Sequence, residues 1–398
     1  MGFHSTPSAE RVHIGFFGAR NAGKSSVVNA VTQQALSVVS DVAGTTTDPV
    51  YKAMELLPLG PVVIIDTPGF DDEGDLGQLR VKKTREAMNR CDIAVLVVDS
   101  VAGVTSCDKA LIKLFEEKEI PYLVAYNKCD KSASQLLSAD ALCISAATGE
   151  GIDALKDALG RMLKTKEEGK RIIGDLLTPG DVVVLVTPID ESAPKGRLIL
   201  PQQQTLRDIL DADCIPIVTK ETTLLKTLSS LKQPPRLVIT DSQVFQMVSE
   251  MVGENIPLTS FSILMARYKG YLKDAIAGIS AIEHLSDGDT VLIAEGCTHH
   301  RQCNDIGTVK IPNWLRSYTK KELVIKTCSG TSFPEDLKGI SLIIHCGGCM
   351  LTQREVLWRQ KQAQDAGVPM TNYGVLIAYM QGILTRSLEL FPELLAQL

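Results

Sequence analysis

Gly18-Ala19-Arg20-Asn21-Ala22-Gly23-Lys24-Ser25 follows a short apolar run, Val12 to Phe17, and precedes a helical pattern from Ser26 to Val31. A strand, a glycine loop and a helix N-terminus in that order build a phosphate cradle, because successive backbone N–H groups converge on the phosphate oxygens. In this register Gly18, Asn21, Ala22 and Gly23 line the cradle. Lys24 reaches the β and γ phosphates, Ser25 ligates Mg²⁺, and Ser26 continues the contact along the first helical turn. The stretch predicts a P-loop at the carboxyl edge of an α/β sheet.

Downstream motifs follow in the order a nucleotide switch needs. Gly44-Thr45-Thr46-Thr47 lies in a polar loop where Thr45 or Thr46 closes over Mg²⁺ and the γ phosphate. Val62 to Ile65 reads as a buried strand that delivers Asp66-Thr67-Pro68-Gly69, with Asp66 reaching Mg²⁺ through water and the Gly69 N–H sensing the γ phosphate. Lys24, Thr46 and Gly69 are therefore the groups expected to act in hydrolysis. Two further strand runs, Ile93 to Val98 and Tyr122 to Tyr126, lead to Asn127-Lys128-Cys129-Asp130. The Asp130 carboxylate accepts hydrogen bonds from the guanine N1–H and amino group, which adenine does not offer, while Asn127 and Lys128 brace the pocket. After Leu142 to Ile144, Ser145-Ala146 places a backbone N–H on the guanine oxygen. One such loop alone reads equally well as a solvated turn. Four in order point to GTP/GDP with Mg²⁺.

At 398 residues the chain exceeds one hydrophobic core, and the motifs divide it into 1–170, a P-loop GTPase domain, then 175–260 and 261–398. In the middle segment, after the charged stretch Lys164 to Arg171 and the Pro179-Gly180 turn, strand-like runs recur at Asp181 to Val186, Ile215 to Val218 and Arg236 to Thr240. They predict a small parallel α/β sheet without chemistry of its own, whose default role is packing against a second copy in a two-fold homodimer. Ser260 to Gly278 reads as a long helix.

No apolar run approaches the ~18 to 20 residues of a membrane span. The net charge of −6 argues against a broad nucleic-acid face. Met1-Gly2-Phe3-His4-Ser5-Thr6 satisfies only a loose acylation pattern, and no secretory signal is read, so a cytoplasmic location is expected. The ten cysteines are then free thiols or metal ligands rather than disulfides. Cys214 stands alone and reads as a small buried hydrophobe.

The soft ligands gather near the C-terminus. Val291 to Ala294 is a strand run ending in Glu295-Gly296-Cys297-Thr298-His299-His300-Arg301-Gln302-Cys303, and Leu342 to Ile344 ends in His345-Cys346-Gly347-Gly348-Cys349. Parallel strands would bring both groups to one sheet edge, and the glycines would offer N–H donors to thiolate. On the residues alone, a closed zinc site and an iron-sulfur cluster both remain open. Cys303, Cys328 and His284 read as ordinary core or surface residues.

Residues 10 to about 165 resemble the TrmE-Era-EngA class of GTPases. Phe70 stands after Asp66-Thr67-Pro68-Gly69, where Ras-like relatives carry a glutamine that orients water, and Asn21 is similar to the asparagine of potassium-activated members, which implies K⁺ at the site. With Asn21-Ala22-Gly23-Lys24-Ser25, the stretch Gly44 to Glu55, Cys297-x-His299 and His345-Cys346-x-x-Cys349, the whole chain resembles the HydF family of FeFe-hydrogenase maturation GTPases. That resemblance implies a dimerisation domain and a C-terminal α/β cluster-binding domain. It also implies a 4Fe-4S cluster on Cys297, Cys346 and Cys349, with His299 and His345 as further candidate ligands. A diiron subcluster precursor is the implied cargo, and the implied partners are radical-SAM hydrogenase maturases and the apo FeFe-hydrogenase, with no nucleic acid and no membrane. The competing class, a tRNA-modification or ribosome-assembly GTPase with a structural zinc site, shares the first domain. A redox enzyme would need a flavin or nicotinamide fingerprint such as Gly-x-Gly-x-x-Gly, which the chain lacks.

Overall fold

A computed structural model describes residues 7–33, 48–70, 74–131, 142–164, 170–188, 198–297, 305–330 and 332–396. The chain divides into two compact units, Met1–Gly169 and Lys170–Leu398.

Six strands among the described residues form the sheet of the first unit. They are β1 (Val12–Phe17), β2 (Val50–Leu56), β3 (Gly60–Asp66), β4 (Ile93–Asp99), β5 (Tyr122–Asn127) and β6 (Leu142–Cys143). The order is β2-β3-β1-β4-β5-β6, with β2 antiparallel to β3 and the other pairs parallel. The central strands β1, β3 and β4 are apolar on both faces, because helices cover both sides of a parallel sheet. Ile14, Phe16, Ile64, Val95 and Val97 pack into one core, and Phe17, Val63, Ile65, Leu96 and Val98 into the other. The alternation follows the two-residue period of a strand.

The second unit carries two four-stranded parallel sheets among its described residues. One holds β7 (Val182–Val186), β8 (Ile215–Thr219), β9 (Leu237–Thr240) and β10 (Leu258–Ser260) in the order β10-β9-β7-β8. The other holds β11 (Thr290–Glu295), β12 (Val324–Ser329), β13 (Leu342–His345) and β14 (Met370–Asn372) in the order β12-β11-β13-β14. One continuous apolar core runs from Ile172 to Phe391 through both sheets.

The long helix expected over Ser260 to Gly278 is broken. Ser260 ends β10 and its side chain caps the Ile263 N–H, so the helix Phe261–Lys269 starts one residue later. It stops at Gly270, whose φ of 88° turns its N–H back onto Ala266 O and Arg267 O before a second helix, Leu272–Ala277. No helix among the described residues is long and apolar enough to cross a membrane.

Candidate functional site

β1 is followed by Gly18, where φ is 148° and an added Cβ would lie 2.2 Å from Val97 O, so only glycine fits. Gly23, at φ 91°, caps the helix Lys24–Thr32 and lies so close to Asn127 that a Cβ would meet Nδ2 at 2.3 Å. Between them Asn21 also takes a positive φ, 64°. The loop therefore curls around a centre that its own N–H groups face, above a helix N-terminus. Lys24 is buried, and its Nζ donates to Gly18 O at 3.1 Å and Ala19 O at 2.9 Å.

Asp66, at the end of β3, accepts a hydrogen bond from Ser25 Oγ at 2.7 Å. Its other oxygen, Oδ1, is buried without a hydrogen-bond partner among the described residues. A buried carboxylate oxygen of that kind suits a cation or its water, so Ser25 and Asp66 fit Mg²⁺. Phe70 N–H donates to Gly18 O at 3.3 Å, and Gly69 packs on the Arg20 backbone at a spacing that leaves a Cβ 3.0 Å from Arg20 Cα. The Asp66–Phe70 turn thus rests on the phosphate loop itself. Gly44, Thr45, Thr46 and Thr47 lie outside the described residues.

The base loops close the far side. Asn127 is buried, donates from Nδ2 to Ala22 O at 3.0 Å and accepts from the Ala146 N–H at 3.0 Å, tying the phosphate loop to the guanine loops. Lys128 Nζ donates to Asn21 O at 2.8 Å and Asp99 Oδ2 at 2.6 Å. Burial raises the Asp99 carboxyl, but the Lys128 bond and the Val101 N–H outweigh it and hold the group below the usual carboxylate range. Ser145 Oγ donates to Asp130 Oδ1 at 2.7 Å, which fixes the carboxylate for base recognition.

In the second unit β11 and β13 are adjacent and parallel, with Ala294 opposite His345. Glu295-Gly296-Cys297 and His345-Cys346 therefore leave one carboxyl edge together, as the spacing predicts. Cys346 Sγ accepts N–H bonds from Gly296 at 3.0 Å and Gly348 at 3.3 Å. Two backbone donors on one sulfur suit a thiolate, and hence a soft metal. Burial nevertheless pushes the Cys346 and Cys349 thiols up, Cys349 to about 12, where the neighbouring Cys346 adds to the rise. No group of three or more His, Cys, Asp or Glu among the described residues is assembled at metal-binding spacing. Cys297 is half-buried at the edge of this region, while His299 and Cys303 lie outside the described residues.

His345 is fully buried and both ring nitrogens are engaged. Arg359 Nη1 donates to Nε2 at 3.2 Å, which leaves Nδ1–H to donate to Cys346 O at 2.7 Å. Burial, then the Arg359 charge, lowers its pKa to about 3. This geometry makes His345 a brace for Cys346 rather than an open ligand.

Sequence reading missed the groups behind the cysteines. Arg359 is fully buried, bonded by Nε and Nη2 to Glu355 Oε1 at 3.3 and 3.1 Å and by Nη2 to Gly330 O at 2.6 Å. Lys269, also buried, donates to Leu351 O at 2.7 Å, and its charge opposes the rise at Cys349. Tyr271 OH donates to Cys346 O at 2.8 Å and accepts from Asn372 Nδ2 at 3.0 Å. Single basic residues within a helix, such as Arg359 in Gln353–Asp365 and Lys269 at the end of Phe261–Lys269, carry no motif that would mark them in advance.

Family models match three segments of the chain. A 50S ribosome-binding GTPase matches residues 13–128, a hydrogen maturase F dimerization domain matches 172–270, and a hydrogen maturase F tetramerization domain matches 273–390. The last description names tetramerization over the segment for which the sequence resemblance implies a cluster-binding domain. Among curated relatives, the tRNA modification GTPase MnmE of Nitrosomonas europaea is 33% identical over 172 residues, 42% of this chain and 37% of that protein. The MnmE of Chromobacterium violaceum is 34% identical over 160 residues, 39% of this chain and 35% of that protein. The chain thus spans little more than a third of either relative. The structure of Aquifex aeolicus Era bound to GDP and AlF₄⁻ aligns with a TM-score of 0.36 at 18% identity, covering 52% of this chain and 93% of that one.

Proposed function

Because the chain belongs to the hydrogen maturase F family, we propose that it is a GTP-hydrolysing scaffold that binds a 4Fe-4S cluster and assembles or transfers the diiron precursor of the FeFe-hydrogenase active site. The observation that carries this reading is the pairing of phosphate-loop and guanine-loop contacts in one unit with two cysteine-bearing strand ends side by side in the other. Phosphate and base recognition need no cysteines, and a cluster needs no phosphate loop, so their coexistence asks for a switch acting on a metal cargo.

In the first unit Lys24 and the loop N–H groups hold the β and γ phosphates, and Asp130 selects guanine. Ser25 and Asp66 would hold Mg²⁺, which neutralises phosphate charge. Phe70 is buried and supplies no polar atom from its side chain to orient water. Charge near Asn21 must compensate, and K⁺ bound there would supply it. Loss of the γ phosphate removes a contact of the Asp66–Phe70 turn, whose Phe70 N–H rests on Gly18 O. The two nucleotide states then differ at that surface, which couples hydrolysis to partner binding by ~1 to 3 kcal/mol. Those partners are the radical-SAM maturases and the apo hydrogenase.

In the second unit Cys297, Cys346 and Cys349 would hold the cluster, which supplies an iron site for the cargo. Gly296 and Gly348 stabilise the Cys346 thiolate, and Tyr271 and His345 fix its backbone carbonyl. Self-association draws support from β8, an edge strand whose Ile215 and Val218 are exposed. GTP turnover in KCl against NaCl, with iron and sulfide analysis after anaerobic reconstitution, tests the proposal. Slow, K⁺-dependent hydrolysis together with bound iron and sulfide is expected; stoichiometric zinc without sulfide would favour the tRNA-modification class.

A further inference from the structure

Each of the two guanine-binding loops carries a cysteine that base recognition does not use. Cys129 stands between Lys128 and Asp130, and Cys143 ends β6 two residues before Ser145. The pairing of β5 with β6 sets Tyr126 opposite Cys143. Cys129 N–H donates to Ile144 O at 3.2 Å, and its thiol donates to Tyr126 O at 3.2 Å. Cys129 and Cys143 therefore meet the same residue, Tyr126, the first through its carbonyl and the second across the strand pair. Cys143 is exposed, Cys129 is half-buried, and both are free thiols.

We propose that Cys129 and Cys143 form a modification site, a paired dithiol that exchanges with a low-molecular-weight disulfide of the glutathione class and, once bridged, weakens guanine-nucleotide binding. The inference rests on the assignment of Asp130 to the base. The exposed Cys143 loses its proton to solvent and its sulfur attacks one sulfur of the disulfide, expelling one glutathione thiolate and leaving a mixed disulfide. Cys129 loses its proton and attacks Cys143 Sγ, expelling the second. Two protein thiols are oxidised to one disulfide, one external disulfide is reduced to two thiols, and the protons balance through solvent.

The bridge requires an S–S distance of ~2.05 Å, which draws the two cysteines, and the loops that carry them, toward each other. Asp130 follows Cys129 directly, and its carboxylate is held by Ser145 Oγ from the other loop at 2.7 Å. A guanine-binding carboxylate tolerates only a few tenths of an ångström before its hydrogen bonds to the base weaken. Burial, and then the neighbouring Cys129, pushes the Cys143 thiol up, which lowers its thiolate fraction near neutrality.

The test uses the full chain, reduced and then held anaerobically with excess oxidised glutathione, followed by peptide mapping and titration with a fluorescent GDP analogue. The expected result is a Cys129–Cys143 linked peptide with about tenfold or greater loss of GDP affinity, reversed by dithiothreitol. Cys143→Ser and Cys143→Ala should bind GDP like the reduced parent and lose the sensitivity. Absence of the linked peptide, an unchanged affinity in the bridged protein, or a loss that persists in both Cys143 variants would overturn the proposal. Failure of the reduced parent to bind GDP would instead overturn the guanine assignment on which it rests.

Discussion

The nucleotide site and the cysteine edge are both built at the carboxyl ends of parallel strands, yet they are held by different means. Around the phosphate loop the contacts are single hydrogen bonds from small polar side chains to a carboxylate or a backbone carbonyl: Ser25 to Asp66, Asn127 to Ala22, Ser145 to Asp130. Around Cys346 the contacts come from deep within the fold, through the buried Arg359–Glu355 pair, Lys269 and Tyr271. Phosphate already carries its charge, so backbone dipoles suffice to bind it. A buried thiol has to be made a thiolate, and that demands cations brought in from elsewhere.

The largest effect that would sharpen this contrast is expected at Lys24. Lys24→Ala removes the cation on the transferred phosphate and should slow GTP hydrolysis by on the order of 10³-fold while leaving bound iron unchanged. Stopped-turnover assays and iron analysis on one preparation check both halves. Parallel loss of iron would mean that the two sites are not independently built.

Next comes the buried pair in the second unit. Arg359→Met leaves Glu355 buried without its cation and should cost ~3 to 5 kcal/mol of stability. Denaturant unfolding of that unit, followed beside GDP affinity, should show the first falling and the second constant. A loss below about 1 kcal/mol would mean that water reaches Glu355.

Legibility in the sequence follows the same division. The P-loop, Asp66 and Asn127 to Asp130 were readable because each chemical function sits in consecutive residues, and the strands delivering them are apolar on both faces. Strand β2 was missed because five of its seven residues are exposed, which hides the alternation. Strand β12, an edge strand with exposed Val324, was missed for a similar reason, and β10 and β14 span only three residues each. Glu355 and Arg359 stand four apart on the helix Gln353–Asp365, a spacing that ordinarily marks a solvated ion pair, yet both are buried. The role of His345 was equally hidden, since only the position of Arg359 shows that both of its nitrogens are taken. Thr45, Thr46 and His299, all read as site residues, fall outside the described residues.

A smaller effect is expected in the base pocket. Asp130→Asn replaces an acceptor by a donor and should lower GTP affinity by roughly 10 to 100-fold while improving xanthosine nucleotide binding, whose C2 carbonyl accepts the new N–H. Competition titrations with both nucleotides read this directly, and an unaltered guanine preference would remove Asp130 from the pocket.

The smallest effect concerns Asp99. Its folded carboxyl titrates below the unfolded value of ~3.9, so its contribution is complete above that pH and disappears as pH falls through the folded pKa. Both partners of the Asp99–Lys128 pair are about a quarter exposed, which limits it to ~1 kcal/mol or less. Asp99→Asn should shift GDP affinity by no more than about fivefold, measured at pH 7. A much larger loss would make Lys128 orientation the dominant constraint on the pocket.

The most direct measurement is the iron, sulfide and GTP-turnover analysis of the anaerobically reconstituted chain beside a variant with Cys297, Cys346 and Cys349 all replaced by Ser. The account predicts about four iron and four sulfide per chain in the parent, nearly none in the variant, and the same turnover in both. A full iron complement in the triple variant, or turnover lost together with the iron, would contradict it.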